Sequence, residues 1–507
     1  MGASTTTLIR TAGFVLGIGG GVAGGCSLTT LEVELCSTDG ECAVSLGVEY
    51  LCAQDGYCRT RPEMPGRCDG VIEVRIFTDL SGPFASVGVP YFKGQIDLLR
   101  EINDEGGIRG CPIVVKSSDH ASDSDAAQDA YNGWVGEPGW TDVVTVFGFG
   151  PTDIDKFSLA LAQQEIVNVT GSYSGEFASP RPVTLRVEYP SVDADFDAVQ
   201  RTESKESPGY PFNFFAGTDD STAGRAAMTF VNNEGAAKVA FFACDEAACK
   251  DPIPATKQYA ADGLGLAVGR DLEIDNEWTQ AQVSAAVMGF FEEELARRTS
   301  DPSYTIPGWV WVGNPVASAA TIGIAVGRVR DELSLEVQVI VNRAGFDESL
   351  AQRCNGGCID YVFGVSPTVA YGGDAPGMDR LEEIHDKWRE LEAEGDDGSP
   401  KELDANGDPR AYEHVRYVQG HVSVLMWREA MERVVDHQKK VNGASLRDVL
   451  EGGNGFTTAG LSAALSFSSG DHRPQSTVKI YKVTEGGGLL KVPPDATVSL
   501  QPEWLGW

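Results

Sequence analysis

The sequence predicts an α/β protein: two doubly wound lobes of parallel strands, preceded by a small disulfide-rich module. Three observations carry this expectation. From residue 70 onward, short β-branched or aromatic runs alternate with longer stretches of helical periodicity, the pattern of strands joined by helical crossovers. At 507 residues the chain holds more strands than one such sheet accommodates, so two lobes are expected. Ahead of them, Cys36, Cys42, Cys52 and Cys58 fall in a 23-residue window with few large apolar residues, a stretch that needs cross-links to hold a shape.

Taken from its start, "MGASTTTLIRTAGFVLGIGGGVAGGC" gives one basic residue (Arg10), a weakly apolar glycine-rich run, and small residues ahead of Cys26. That order predicts a cleaved export signal over 1–25. The run is too short and too glycine-rich for a membrane-spanning helix, which needs about 18 apolar residues or more. Ala-Gly-Gly-Cys at 23–26 resembles the bacterial lipobox, with Ala23 where Leu is usual. The resemblance implies that Cys26 is acylated, anchoring an exported chain to the membrane; a freely secreted chain is the alternative.

With Cys26 set aside, ten of the 11 cysteines remain, an even number that suits disulfides in an oxidising compartment. The four in the module allow three connectivities, and zinc is disfavoured because no Cys-x2-Cys pair or neighbouring His is present. Elsewhere, Cys244 with Cys249 in "CDEAAC" and Cys354 with Cys358 in "CNGGC" are expected as local staples, leaving Cys68 with Cys111. "TRPEMPGRCD", residues 60–69, has linker chemistry and closes the module, placed at 26–69.

Beyond the linker, strands are expected at 71–78, 142–150, 238–244, 308–313, 336–342 and 359–365. Phe92, Ile96, Leu99 and Ile102 recur at helical spacing, and "QVSAAVMGFFEEELARR" does the same. Residues 179–211 and 392–414 are polar, rich in Pro or Gly, and expected as insertions. In the second, Asp404, Asn406 and Asp408 have the alternate spacing of a calcium loop, but Pro409 and Val415 stand where that loop needs Gly and Glu, so no metal is expected.

The composition and motifs exclude several classes. With 40 Lys+Arg against 74 Asp+Glu, the formal charge of -34 repels nucleic acid. The six histidines form no HExxH pair, and neither a GxSxG elbow nor a phosphate loop is present, so no enzyme chemistry and no cofactor are expected. What remains is a binding architecture. In open α/β sheets, ligands sit beyond the carboxyl ends of strands, where helix N-termini present unpaired N–H groups. Ser81, Thr152 and Ser172 stand at such ends and would add donors, or serve as ordinary helix caps.

"TDLSGPFASVG…GQIDLLREINDEGGIRG" resembles the opening of the type I periplasmic binding proteins of the leucine/isoleucine/valine-binding kind, the substrate-binding components of ABC transporters. Weaker similarities follow in family order to the end of the chain. The resemblance implies two Rossmann-like lobes joined by a three-strand hinge, with crossings near Phe215, Ser366 and Ser462. Lobe 1 then comprises 70–214 plus 367–461, and lobe 2 comprises 215–366 plus 462–507. It also implies a small polar or amino-acid-like ligand, a membrane permease as partner and a place in the cell envelope. A surface sensor or protein-interaction lipoprotein on the same fold is the alternative.

Carried over by position, Ser81 and Gly82 match the first-lobe loop, Thr152 stands near the family's ligand Ser, and Ser172 and Tyr173 fall in the next loop. The second lobe departs from the pattern. "CDEAACKDPIP" replaces a stretch that usually offers a Tyr, Asn314 replaces an aromatic residue, and Arg343 lies near the acid that would meet a ligand's ammonium. A cation there disfavours an ammonium by repulsion.

Overall fold

The structure, a computed structural model, describes residues 50–52, 58–60, 71–82, 84–354, 356–394, 412–437, 439–484 and 488–506. Two units are distinguished, Met1–Met64 and Pro65–Trp507. In the first, strands β1 (Tyr50–Cys52) and β2 (Cys58–Thr60) form an antiparallel hairpin that sets Cys52 opposite Cys58. Cys26, Cys36, Cys42 and Cys68 lie outside the described residues, as does the calcium-like stretch from Asp404 to Asp408.

The second unit holds two sheets. Strands β3 (Ile72–Thr78), β4 (Ile113–Asp119), β5 (Val143–Gly148) and β6 (Val167–Thr170) are linked by helices α1 (Ala85–Asp104), α2 (Ser124–Val135) and α3 (Pro151–Gln163). After β6 the chain makes a hairpin of β7 (Val183–Val192) and β8 (Ala198–Ser207), then returns as β9 (Asn213–Phe215). The first sheet is wholly parallel in the order β4-β3-β5-β6-β9. Its inner strands are apolar runs such as "VVTVFG" because both faces are covered.

The second lobe begins with α4 (Asp220–Asn233) and alternates through β10 (Lys238–Ala243), β11 (Ala267–Glu273), α5 (Gln280–Ser300), β12 (Trp309–Val312), α6 (Val316–Leu333), β13 (Gln338–Val341), α7 (Glu348–Arg353) and β14 (Val362–Ser366). Val239, Phe241 and Trp311 face α4, while Phe242, Val310 and Val312 pack against Val287, Phe291 and Ile322 of α5 and α6. Helix α5 starts at a capping box of Thr279 and Gln282, which satisfies its first N–H groups.

Helices α8 (Met378–Glu394), α9 (Val415–Asp436) and α10 (Gly443–Leu450) return to the first lobe. Helices α1 and α9 cross closely: a Cβ on Gly94 would stand 2.1 Å from the Tyr417 carbonyl oxygen, and one on Gly420 would stand 2.0 Å from that of Tyr91. Beside this crossing, Asp97 accepts from Arg389 (2.6 Å) and from the Tyr417 hydroxyl (3.0 Å), and Lys93 pairs with Glu392 (3.0 Å). The chain ends with β15 (Thr477–Val483) and β16 (Leu489–Thr497).

The second sheet runs β16-β15-β14-β13-β12-β10-β11-β7-β8, parallel through its centre and antiparallel at both ends. The segment 179–211, expected as a polar insertion, is therefore partly a hairpin. It leaves the chain between two strands of the first sheet and joins the second, with Val192 opposite Arg270. Its inward residues Leu185, Val187 and Tyr189 pack on Ala255.

Disulfides join Cys244 to Cys249 and Cys354 to Cys358, and Cys111 is also disulfide-bonded. Among the described residues, no helix is long and apolar enough to cross a membrane, and no cluster of three or more His, Cys, Asp or Glu is placed to hold a metal ion.

Candidate functional site

Besides the β7–β8 hairpin, three passages join the lobes: between β9 and α4, after β14, and before β15. They are bonded to one another. Thr218 of the first donates to the Thr477 carbonyl at the end of the third (2.7 Å), and Gln475 of the third donates to the Pro367 carbonyl of the second (3.3 Å). Ser462 stays with Thr458 (3.1 Å), and the His472 ring contacts the Asn213 carbonyl and Glu451 (2.9 and 3.0 Å). Ser462 also bridges Thr368, just past the second passage, and the third passage runs from there to Gln475. Behind it, the guanidinium of Arg225 stacks 4.4 Å from the Trp504 ring, and burial pulls its pKa down to about 10.

On the first-lobe rim, the turn after β3 is fastened from within. Asp79 is fully buried and accepts from the Gly82 N–H (2.6 Å), the Phe84 N–H (3.1 Å) and the Ser122 hydroxyl. It thereby satisfies donors at the start of α1 that its N-cap residue, Phe84, leaves without a side-chain partner. Ser81 donates to Asp119 (2.6 Å), whose other oxygen accepts from the Leu80 and Ala121 N–H groups (both 2.9 Å). These bonds hold the Asp119 carboxyl below the usual carboxylate range despite the opposing effect of partial burial. Gly82 is required sterically, since a Cβ would stand 2.2 Å from the Ala121 carbonyl oxygen. Thr152 lies in the first turn of α3; its side chain is outside the described ones.

After β6, Ser172 is half-buried and its N–H donates to the Thr170 hydroxyl (3.0 Å). The Tyr173 ring is fully buried and stacks on Phe215, 5.4 Å away. Tyr91 of α1 is also buried, and its hydroxyl lies close to those of Tyr173 and Ser423 without a hydrogen bond of full geometry to either. Burial pushes the Tyr173 phenol up to about 12, partly offset by Arg343, and also pushes the Tyr91 phenol well above its ordinary value.

The second-lobe rim supplies Arg343, just past β13. Its Nε and Nη2 donate to the two oxygens of Asp220 (2.7 and 3.1 Å), and its guanidinium carbon stands 4.5 Å from the centre of the Tyr173 ring. The same loop is gripped from the first lobe. Arg416 of α9, almost fully buried, donates to the carbonyls of Arg343 (2.7 Å) and Phe346 (3.2 Å). Glu348 accepts from the Val415 N–H (2.9 Å) at the start of α9, and His414 stands 3.6 Å from Asp347. Burial would raise the Asp347 carboxyl, but His414, Arg416 and Ser349 outweigh it and hold the pKa far below the ordinary range. Asn314 is fully buried and donates to the Ile274 carbonyl (2.8 Å) and to Asn276 (3.1 Å), pinning the loop after β11.

Of the expected ligand residues, the structure brings Tyr173 and Arg343 together. Ser81 and Gly82 are engaged in the turn, and Asn314 in a loop anchor. Tyr91, Asp220 and Arg416 were missed. Asp220 stands in plain view in "TDDSTAGR", but nothing local marks it as a partner for a residue 123 positions away.

Comparison with known proteins gives the architecture a context. Residues 72–272 match the family model described as periplasmic binding protein. None of the curated proteins matches the chain significantly. Among solved structures, an ABC transporter substrate-binding protein from Aeropyrum pernix is 23% identical with a TM-score of 0.65, covering 86% of this chain and 99% of its own. A branched-chain amino acid ABC transporter protein from Thermus thermophilus with bound valine is 15% identical, TM-score 0.61, covering 85% and 98%. A fatty acid ABC transporter substrate-binding protein from Thermomonospora curvata is 15% identical, TM-score 0.59, covering 89% and 97%.

Proposed function

On the premise that this chain has the type I periplasmic binding fold, we propose that it is an exported solute-binding protein. It takes a small polar ligand between its lobes and presents it to the membrane permease of an ABC transporter. The observation that carries the reading is the pair of contacts across the cleft, Arg343 on Tyr173 and Arg416 on the Arg343 and Phe346 carbonyls. They join two rims whose lobes are also linked by three passages and by the β7–β8 hairpin, which the first lobe lends to the second sheet; closure about such links is a hinge motion. Affinity then comes from converging donors and an apolar wall as water is expelled, with no covalent step. An export signal over 1–25 and acylation of Cys26, both expected from the sequence, would give it a place in the cell envelope, tethered to a membrane.

The similar structures named above include one with bound valine and one assigned to fatty acids, so this architecture accommodates ligands with and without an ammonium. One observation favours the sensor or interaction reading instead: the paired strands Tyr50–Cys52 and Cys58–Thr60 lie outside the matched residues 72–272. A thermal-shift screen of the full chain against amino acids, amides, dicarboxylates and short peptides tests the proposal. A ligand at 100 times its Kd adds about 2.7 kcal/mol of stability. A panel without a single shift removes the transport reading.

A further inference from the structure

The chemistry of the ligand follows from which polar groups in the cleft are already engaged, given the reading of the cleft as the binding site. An amino-acid ligand needs a carboxylate to receive its ammonium. Among the described residues on the rims, Asp79 and Asp119 are bonded into the first-lobe turn. Glu348 is held by the Val415 N–H and Asp347 by the Ser349 N–H and hydroxyl. Asp220, the acid nearest Tyr173, has both oxygens on Arg343. Asp219 keeps one oxygen without a partner, but the charges acting on that carboxyl are the guanidinium groups of Arg473 and Arg225 behind the hinge.

Donors show the opposite pattern. The hydroxyls of Tyr91 and Tyr173 are buried and interact with one another, Tyr91 also with Ser423, yet neither makes a hydrogen bond of full geometry, so both have capacity for an oxyanion. Arg343 uses Nε and Nη2 on Asp220, which leaves Nη1 outside the pair. The charges acting most on the Tyr173 hydroxyl are two guanidinium groups, Arg343 and Arg416, against one carboxylate, Asp220. An oxyanion placed there gains charge-assisted hydrogen bonds and a net positive field. An ammonium placed there is repelled and desolvated, with no acid to receive it.

We infer that the ligand is a small organic carboxylate lacking an α-ammonium, its oxygens received by the hydroxyls of Tyr91 and Tyr173 and by the free edge of Arg343.

The test is calorimetric titration of the full chain with matched pairs that differ only in the amine: butanoate and 2-aminobutanoate, 4-methylpentanoate and leucine, octanoate and 2-aminooctanoate, 3-phenylpropanoate and phenylalanine. In every pair that binds, the amine-free acid should bind at least tenfold more tightly. Y173F keeps the ring stacked on Phe215 and should weaken that acid at least tenfold, as should R343M. If an amino acid binds as tightly as its amine-free counterpart, or more so, the ligand class is wrong while the cleft reading stands. If the acids bind but Y173F leaves their Kd unchanged, the placement of the carboxylate is wrong. If no member of any pair binds, the proposal is overturned, and the solute-binding reading then depends on the broader panel.

Discussion

At the first-lobe rim, Asp79, Ser81 and Asp119 turn toward the backbone and one another; at the second-lobe rim, Arg343 turns outward onto Tyr173 in the opposing lobe. The sequence motif is strong at the first rim and broken at the second. Their difference teaches what each kind of signal reports. The Ser-Gly-Pro turn persists as a pattern because it is a self-contained device for ending β3 and starting α1, whatever the cleft holds. The departures at 314 and 343 change the groups available in the second lobe, and one of them reaches the cleft.

The comparison can be broken by removing the centre of each rim. Asp79→Ala leaves two N–H groups and a hydroxyl without their buried acceptor. It should destabilise the protein by about 3 kcal/mol in urea unfolding. An effect below about 1 kcal/mol would mean that the turn is not fastened by this carboxylate. Arg416→Met, at the second rim, should lose about 2 kcal/mol because two carbonyls lose a charged donor. It should also enlarge the radius of gyration in small-angle scattering. Unchanged compactness would show that the Arg416 bonds do not hold the lobes together.

Acid sharpens the contrast. Asp347 at the second rim and Asp119 at the first both have folded pKa values below their unfolded ones. Each therefore contributes stability that is present above the unfolded carboxylate range and is lost as pH falls through the folded pKa. Asp347 is the more deeply buried, so D347N should flatten the loss of stability between pH 5 and 2 (an interval of about three units) more than D119N does. Equal slopes in urea unfolding across that interval would contradict the ranking. The smallest effect belongs to Ser81→Ala, which removes one exposed hydrogen bond and should lower stability by less than about 1 kcal/mol. Because its hydroxyl is engaged by Asp119, ligand affinity should change less than about twofold; a larger loss would return Ser81 to the site.

Much of the architecture was legible from periodicity. "VVTVFG", "KVAFFA" and "WVWV" are strands whose apolar runs reflect burial on both faces, and the helices that carry Phe92 to Ile102 and "QVSAAVMGFFEEELARR" stand where their spacing put them. The hairpin β7–β8 was missed because Pro190 and a string of charged residues look like a loop. In β7 the apolar side chains alternate inward; it pairs along its length with the neighbouring β8, and what joins it to the second sheet is the pairing of Val192 with Arg270, far along the chain. The cleft was less legible for the same reason. That Ser81 would be engaged by Asp119, or Arg343 by Asp220, depends on contacts 38 and 123 positions apart, which no local pattern encodes.

The make-up of the second sheet also orders events in time. Its central strands, β10 to β14, emerge from the ribosome in one stretch, but the neighbour that covers β14 is β15, near the end of the chain. Until β15 is translated, β14 presents an unpaired edge of "VFGVS" to whatever is nearby. A nascent second lobe is thus adhesive along one side, and β15 with β16 acts as the closing seam. A chain cut short before Thr477 would keep every residue of the proposed cleft and yet leave that seam open.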